Sequence, residues 1–171
     1  MPQIVLSEVA QRAHDLLAPV VNRAMETGVA KRHHGQLIVS RRVDGRRKRN
    51  QDAPRLFEYA WGLKNEWEYP YDEIAESKTR ITVVIGEPSR CVSEEKRQQI
   101  GGFPYWGSWI SWVDPEEEVE IVAAFSGVDP EIDELFCRLL IETMRSLIEL
   151  DIKRAREAGD YSAVEYINSL D

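Results

Sequence analysis

The stretch VEIVAAFSGVDPEIDELFCRLLIETMRSLI, running from Val119 to Ile148, decides the fold. Val119, Ile121, Ala123 and Phe125 alternate as in a strand with one face on a core, and Ser126-Gly127-Val128-Asp129 turns the chain. Pro130 then opens a helix whose apolar stripe is Ile132, Leu135, Phe136, Leu139, Leu140, Met144, Leu147 and Ile148. Asp129, Glu131, Asp133 and Glu134 are spaced for a helix N-terminus rather than for a metal. Asp129 is expected to cap, Pro130 to take the first turn, and the acids to meet the positive end of the dipole. Glu134 with Arg138 and Glu149 with Lys153 are spaced for i to i+4 pairs worth about 0.2–0.5 kcal/mol each. Apolar positions continue through Ile152 and Ala155, which predicts one helix from Pro130 to about Ala158, roughly 42 Å long.

Upstream, Tyr105 to Val113 reads as a second strand, and Asp114-Pro-Glu-Glu-Glu118 connects it to the first as an antiparallel hairpin. By the two-residue period Trp106 and Trp112 share one face and Trp109 takes the other, so the three indoles do not all reach one core. At least one is available for a ligand or a subunit contact.

In the first half, Ser7 is placed to cap a helix bearing Val9, Ala13, Leu16, Leu17, Val20, Val21 and Ala24, with Gly28 as its left-handed stop. Pro19 lies inside this pattern and predicts a bend, or a division in two, near Leu17 to Pro19. Gly35 to Val43 reads as a strand ended by the Asp44-Gly45 turn. From about Pro54 to Trp67, Leu56, Ala60, Leu63 and Trp67 fall on one helical face. Asp72 is placed to cap a helix through Lys78, and Ile81 to Ile85 is β-branched, which favours a strand over a buried helix end. A short helix is expected near Ser93 to Gln98.

A chain of 171 residues with 43% apolar content suits a single domain, with a core over about residues 4–148 and a helical extension over 149–171. The net charge of −8 argues against nucleic acid or an anionic membrane as partner. No apolar run approaches the roughly 20 residues of a membrane span. Cys91 and Cys137 lack CxxC or Cys/His spacing and no leader pattern follows Met1, so a reducing cytoplasm is the expected compartment. Lys31, Arg32, Arg41, Arg42, Arg46, Arg47, Lys48 and Arg49 crowd one segment against a single acid, Asp44. Such a block either forms a solvated loop or attracts phosphates and carboxylates.

Chemistry is sparse. G-x-S-x-G, G-x-x-x-x-G-K-[ST] and H-E-x-x-H are absent, and no nucleophile or general base declares itself. Cys137 beside the apolar stripe reads as a buried structural thiol. His33 and His34 are the most suggestive titratable pair, although in an extended backbone they point opposite ways and only one can enter a shared site. His14 beside the first helix's apolar face reads as packed.

Taken in order, five segments resemble the GlcG/HbpS-like, or haem-degrading-domain, family. They are Leu6-Ser7-Glu8 opening the first helix, His34-Gly35-Gln36 through Gly45, Glu73-Ile74-Ala75 through Arg80, Gly101-Gly102-Phe103-Pro104, and Phe125-Ser126-Gly127 through Glu134. Together they span most of residues 4–145. The resemblance implies an α/β fold of α+β type: a mainly antiparallel, profilin-like sheet flanked by helices, here with a long C-terminal helix, often in a homo-oligomer. It also implies binding of haem or a related small ligand. The chain departs from the family in its basic Val29-Ala30-Lys31-Arg32-His33, where an apolar strand is usual, in the insertion from Arg46 to Tyr71, and in the extension after Ile148.

Two readings follow. In the first the chain is a small-ligand-binding domain of haem type, with His33 or His34 as ligand, Trp106 or Trp109 stacking on the macrocycle, and Arg46, Arg47 or Arg49 pairing its propionates. In the second it is a non-catalytic oligomeric assembly protein that uses its exposed aromatics and long terminal helix for subunit contacts.

Overall fold

Two strands are apolar on both sides, and such strands belong in the middle of a sheet covered on both faces. Along the chain the elements run β1 (Gln3–Val5), α1 (Leu6–Glu26), β2 (Gly35–Arg42), β3 (Arg55–Trp61), α2 (Tyr71–Ile85), α3 (Glu94–Gly101), β4 (Ser108–Asp114), β5 (Val119–Ser126), α4 (Pro130–Glu157) and β6 (Glu165–Ile167). The computed structural model describes residues 1–28, 34–43 and 53–170. The Val29 to His33 segment, the Asp44-Gly45 turn and the arginines Arg46, Arg47 and Arg49 fall outside them.

The doubly buried strands are β2 and β5, and they pair antiparallel from Gln36 opposite Ser126 to Arg42 opposite Glu120. β3 flanks β2 and β4 flanks β5, giving the order β3-β2-β5-β4 with every neighbour antiparallel. Period two then sorts the side chains. Leu37 and Val39 with Val119, Ile121, Ala123 and Phe125 enter the core beneath α1 and α4. Ile38, Val122 and Ala124, one residue out of step, are buried on the opposite face, where α2 packs on β2 and β5. Phe125 is 1% exposed, with its ring edge-on to Trp61 at 5.2 Å and Phe136 at 5.6 Å. Burying such a side chain contributes about 1.5–3 kcal/mol. The fold is thus α+β with helices on both sides of an antiparallel sheet, and the β4–β5 hairpin and the 28-residue α4 follow the sequence expectation.

Several local expectations are corrected. Residues 55–61 form a strand, not a helix, because Phe57, Tyr59 and Trp61 alternate onto one face and close around His14 of α1 at ring distances of 5.2, 4.4 and 5.6 Å. The run from Ile81 to Ile85 continues α2 instead of forming a strand. Ile74, Ala75, Lys78, Ile81 and Thr82 make a buried stripe at helical spacing, and that packing overrides β-branched propensity. Gly86, at φ +71°, stops the helix. α1 starts at Leu6 with no side-chain cap, so Ser7 does not cap it. It also runs through Pro19 without dividing, since Pro19 lies on the exposed face where water can satisfy the carbonyl that its ring leaves unpaired.

β4 begins three residues later than expected, at Ser108, so Trp106 precedes the strand and does not share a face with Trp112. Glu134 pairs with Arg90 at 2.7 Å rather than with Arg138, whose guanidinium lies over the Trp109 ring at 5.1 Å. Lys153 reaches Glu157 rather than Glu149. At the ends of the chain, β1 and β6 pair in parallel, and α4 passes through residue 148 without a break.

Candidate functional site

The turn after β5 brings three elements together. Gly127 has φ +144°, and a Cβ there would lie 2.3 Å from the His34 carbonyl oxygen and 2.6 Å from the Gly35 Cα, so only glycine lets β5 leave the sheet this close to β2. The chain then enters α4 with Asp129 as its N-cap residue, but the Asp129 side chain makes no capping hydrogen bond. Asp133, one turn in, bonds back to the turn that precedes the helix. Its Oδ1 accepts the Val128 N–H at 3.1 Å, fixing the turn from within the helix.

The other oxygen of Asp133 faces α2. Lys78 Nζ donates to Asp133 Oδ2 at 3.1 Å and to the Phe125 carbonyl oxygen at 2.7 Å, and both side chains are sealed at 2–3% exposure. One lysine therefore ties α2 to the last turn of β5 and to the first turn of α4. Gly107, just before β4, makes room for it: at φ +140°, a Cβ would fall 2.7 Å from Asp133 Cβ and 2.9 Å from Lys78 Nζ. The hydroxyls of Thr82, Ser108 and Ser89 are linked at 2.6 and 2.7 Å, and Ser89 Oγ accepts the Gly107 N–H at 3.2 Å, which holds the glycine in place. Burial raises the Asp133 carboxyl to about 6, with Lys78 and the Val128 N–H pulling the other way. Burial also pushes the Cys137 thiol well up, and its Sγ lies 3.7 Å from the Gly107 carbonyl oxygen, in keeping with a structural thiol.

Above this pair lies a cavity of about 300 Å³. Its floor is Lys78 and Asp133; Tyr69, Tyr71 and Ile74 form one wall, Tyr105 and Trp106 another, and the Ser126 to Pro130 turn the rim. Trp106 is the one sequence-predicted site residue that the structure brings to this cavity. His34 contributes its backbone to the packing of Gly127, while its imidazole lies against Gly62. Trp109 turns toward the core beside α4. His33, Arg46, Arg47 and Arg49 lie outside the described residues.

Sequence reading missed Lys78 and Tyr71, and it assigned Asp133 to the helix dipole alone. Lys78 falls on the same face of α2 as Ile74, Ala75 and Ile81, and a lysine on an apolar stripe signals a buried partner. A second, open hollow of about 370 Å³ between β3 and α2 is lined in part by the Arg55–Glu76 and Lys64–Asp72 ion pairs. Among the described residues, no group of three or more His, Cys, Asp or Glu is arranged to hold a metal ion, and no described helix is long and apolar enough to cross a membrane.

A helix-flanked antiparallel sheet with a long C-terminal helix is also the architecture of a solved protein. The chain matches the crystal structure of HbpS with a TM-score of 0.51 over 82% of this chain and 89% of that one, at 18% sequence identity. Its fold is therefore HbpS-like. No protein-family model and no curated protein matches the sequence.

Because the folded Asp133 carboxyl sits at about 6 against an ordinary 3.8, the folded protein keeps a proton that the unfolded chain has already lost between those values. Stability from this group is full below the lower value and declines as pH rises through the upper one. Urea melts from pH 4 to pH 7 on the protein and on Asp133→Asn should show the wild-type advantage, or deficit, moving against the wild type across that window. A difference that moves in favour of the wild type would contradict the assigned shift.

Proposed function

We propose that the chain is a small-ligand-binding domain whose site is the cavity above Lys78 and Asp133. The observation that carries this reading is the convergence, in one concave space, of aromatic walls, a buried ion pair and the backbone of a glycine turn, the combination typical of ligand pockets. It assigns no reaction.

Haem is the ligand that the family resemblance implies, and the described space is small for it. The volume of about 300 Å³ is at the lower end for a pocket that encloses a drug-sized ligand. Of the side chains that ligate haem iron the lining supplies phenols, with no imidazole, thiol or thioether beside them. A ligand smaller than a tetrapyrrole suits the space.

A ligand-observed NMR screen of fragment-sized compounds should find binders that compete for one site and are lost in Trp106→Ala. Haemin should give no saturable Soret change that depends on Trp106. A saturable haemin signal abolished by His34→Ala or Trp106→Ala would overturn the smaller-ligand reading, and a screen without Trp106-dependent binders would overturn the site.

A second reading, self-association, is favoured by one observation. Leu16 and Val20 of α1 and Leu135 and Leu139 of α4 stay 37–60% exposed on two helices that pack together. Sedimentation velocity at high protein concentration should then show a dimer or larger species, and a monomer throughout would remove this reading.

A further inference from the structure

We infer that the cavity is built for an organic cation, a small amine or quaternary ammonium compound; this rests on the ligand-binding reading above and specifies its ligand class. The argument is one of charge balance against π faces. The lining holds three charged groups, Lys78, Asp133 and Asp129. Lys78 and Asp133 are bound to each other, and Lys78 also donates to the Phe125 carbonyl oxygen, so that pair is neutral as a unit. Asp129 is left over. It neither caps α4 nor joins an ion pair among the described residues, and it stands half-buried at the rim. Among the described residues the cavity wall therefore carries one carboxylate with no side-chain partner, offset only by the positive end of the α4 dipole.

The remaining surface acts in the same direction. Tyr69, Tyr71, Tyr105 and Trp106 line the same space from two sides, with Tyr69 and Tyr71 tilted at 56° and 6.1 Å apart. Aromatic faces are electron-rich and attract cations, Trp most strongly, and an ammonium enclosed by several rings needs few other polar partners. An anion would meet the same rings and Asp129, with no free cationic side chain among the described residues of the lining to receive it. Tyr105 and Tyr69 remain 47% and 43% exposed, leaving an edge through which a ligand's tail can reach solvent.

Isothermal titration calorimetry with three probes tests the assignment: choline, its neutral isostere 3,3-dimethylbutan-1-ol, and benzoate. Choline should bind saturably and more tightly than either of the others. Asp129→Asn keeps a side chain equally suited to the N-cap position, and it should weaken choline about fivefold while leaving the neutral isostere unchanged. Trp106→Ala should weaken choline about threefold or more, with thermal melts confirming that both variants are folded. Equal or tighter binding of the isostere or of benzoate at a Trp106-dependent site would overturn the cation assignment and leave the ligand-binding reading standing. Saturation by none of the three would overturn the cation assignment too, and the fragment screen then decides the broader reading separately.

Discussion

The structure turns on one buried charge pair. Lys78 and Asp133 come from helices on opposite faces of the sheet and meet at the end of its central strands, where β5 stops and α4 begins. Burying either charge alone is costly, so each makes the other's position obligatory. Each also bonds to backbone, Lys78 to the Phe125 carbonyl and Asp133 to the Val128 N–H. The pair thus fixes the turn that a glycine makes sterically feasible.

Such a pair specifies more than it stabilises. The raised Asp133 carboxyl means that burial outweighs the attraction of Lys78, so the ionised pair is held in place by the surrounding packing. That packing is supplied elsewhere, by the two-sided burial of β2 and β5 and by the Phe125, Trp61 and Phe136 cluster. The consequence is a buried, charge-neutral floor beneath a space walled by aromatic rings. Asp129 holds the N-cap position without making a capping hydrogen bond, and it lines the cavity.

Much of the scaffold is legible in the residues. The alternation in Val119 to Phe125, the Gly127 turn and the long α4 stripe are local patterns, and the structure follows them. β3 reads as a helix from sequence because Leu56, Ala60, Leu63 and Trp67 imitate a helical face, while the aromatic alternation that wins does so through contacts with His14, more than 40 positions away. α2 was cut short for a similar reason, since a β-branched run becomes helical only when the sheet beneath it is known. The site was the least legible part. Lys78 and Asp133 lie 55 positions apart, and neither belongs to a spacing motif. Trp106 was singled out as an exposed aromatic, but its partners Tyr69, Tyr71 and Tyr105 were not.

The account's central claim is that Lys78 and Asp133 act as one unit, and a double-mutant cycle by denaturant unfolding tests it most directly. With Lys78→Met, Asp133→Leu and the two combined, each single change should cost about 3–5 kcal/mol by stranding a buried charge, while the double variant should cost less than either. Single-variant costs that add to within about 0.5 kcal/mol would mean that the two residues are independent, and would contradict the account.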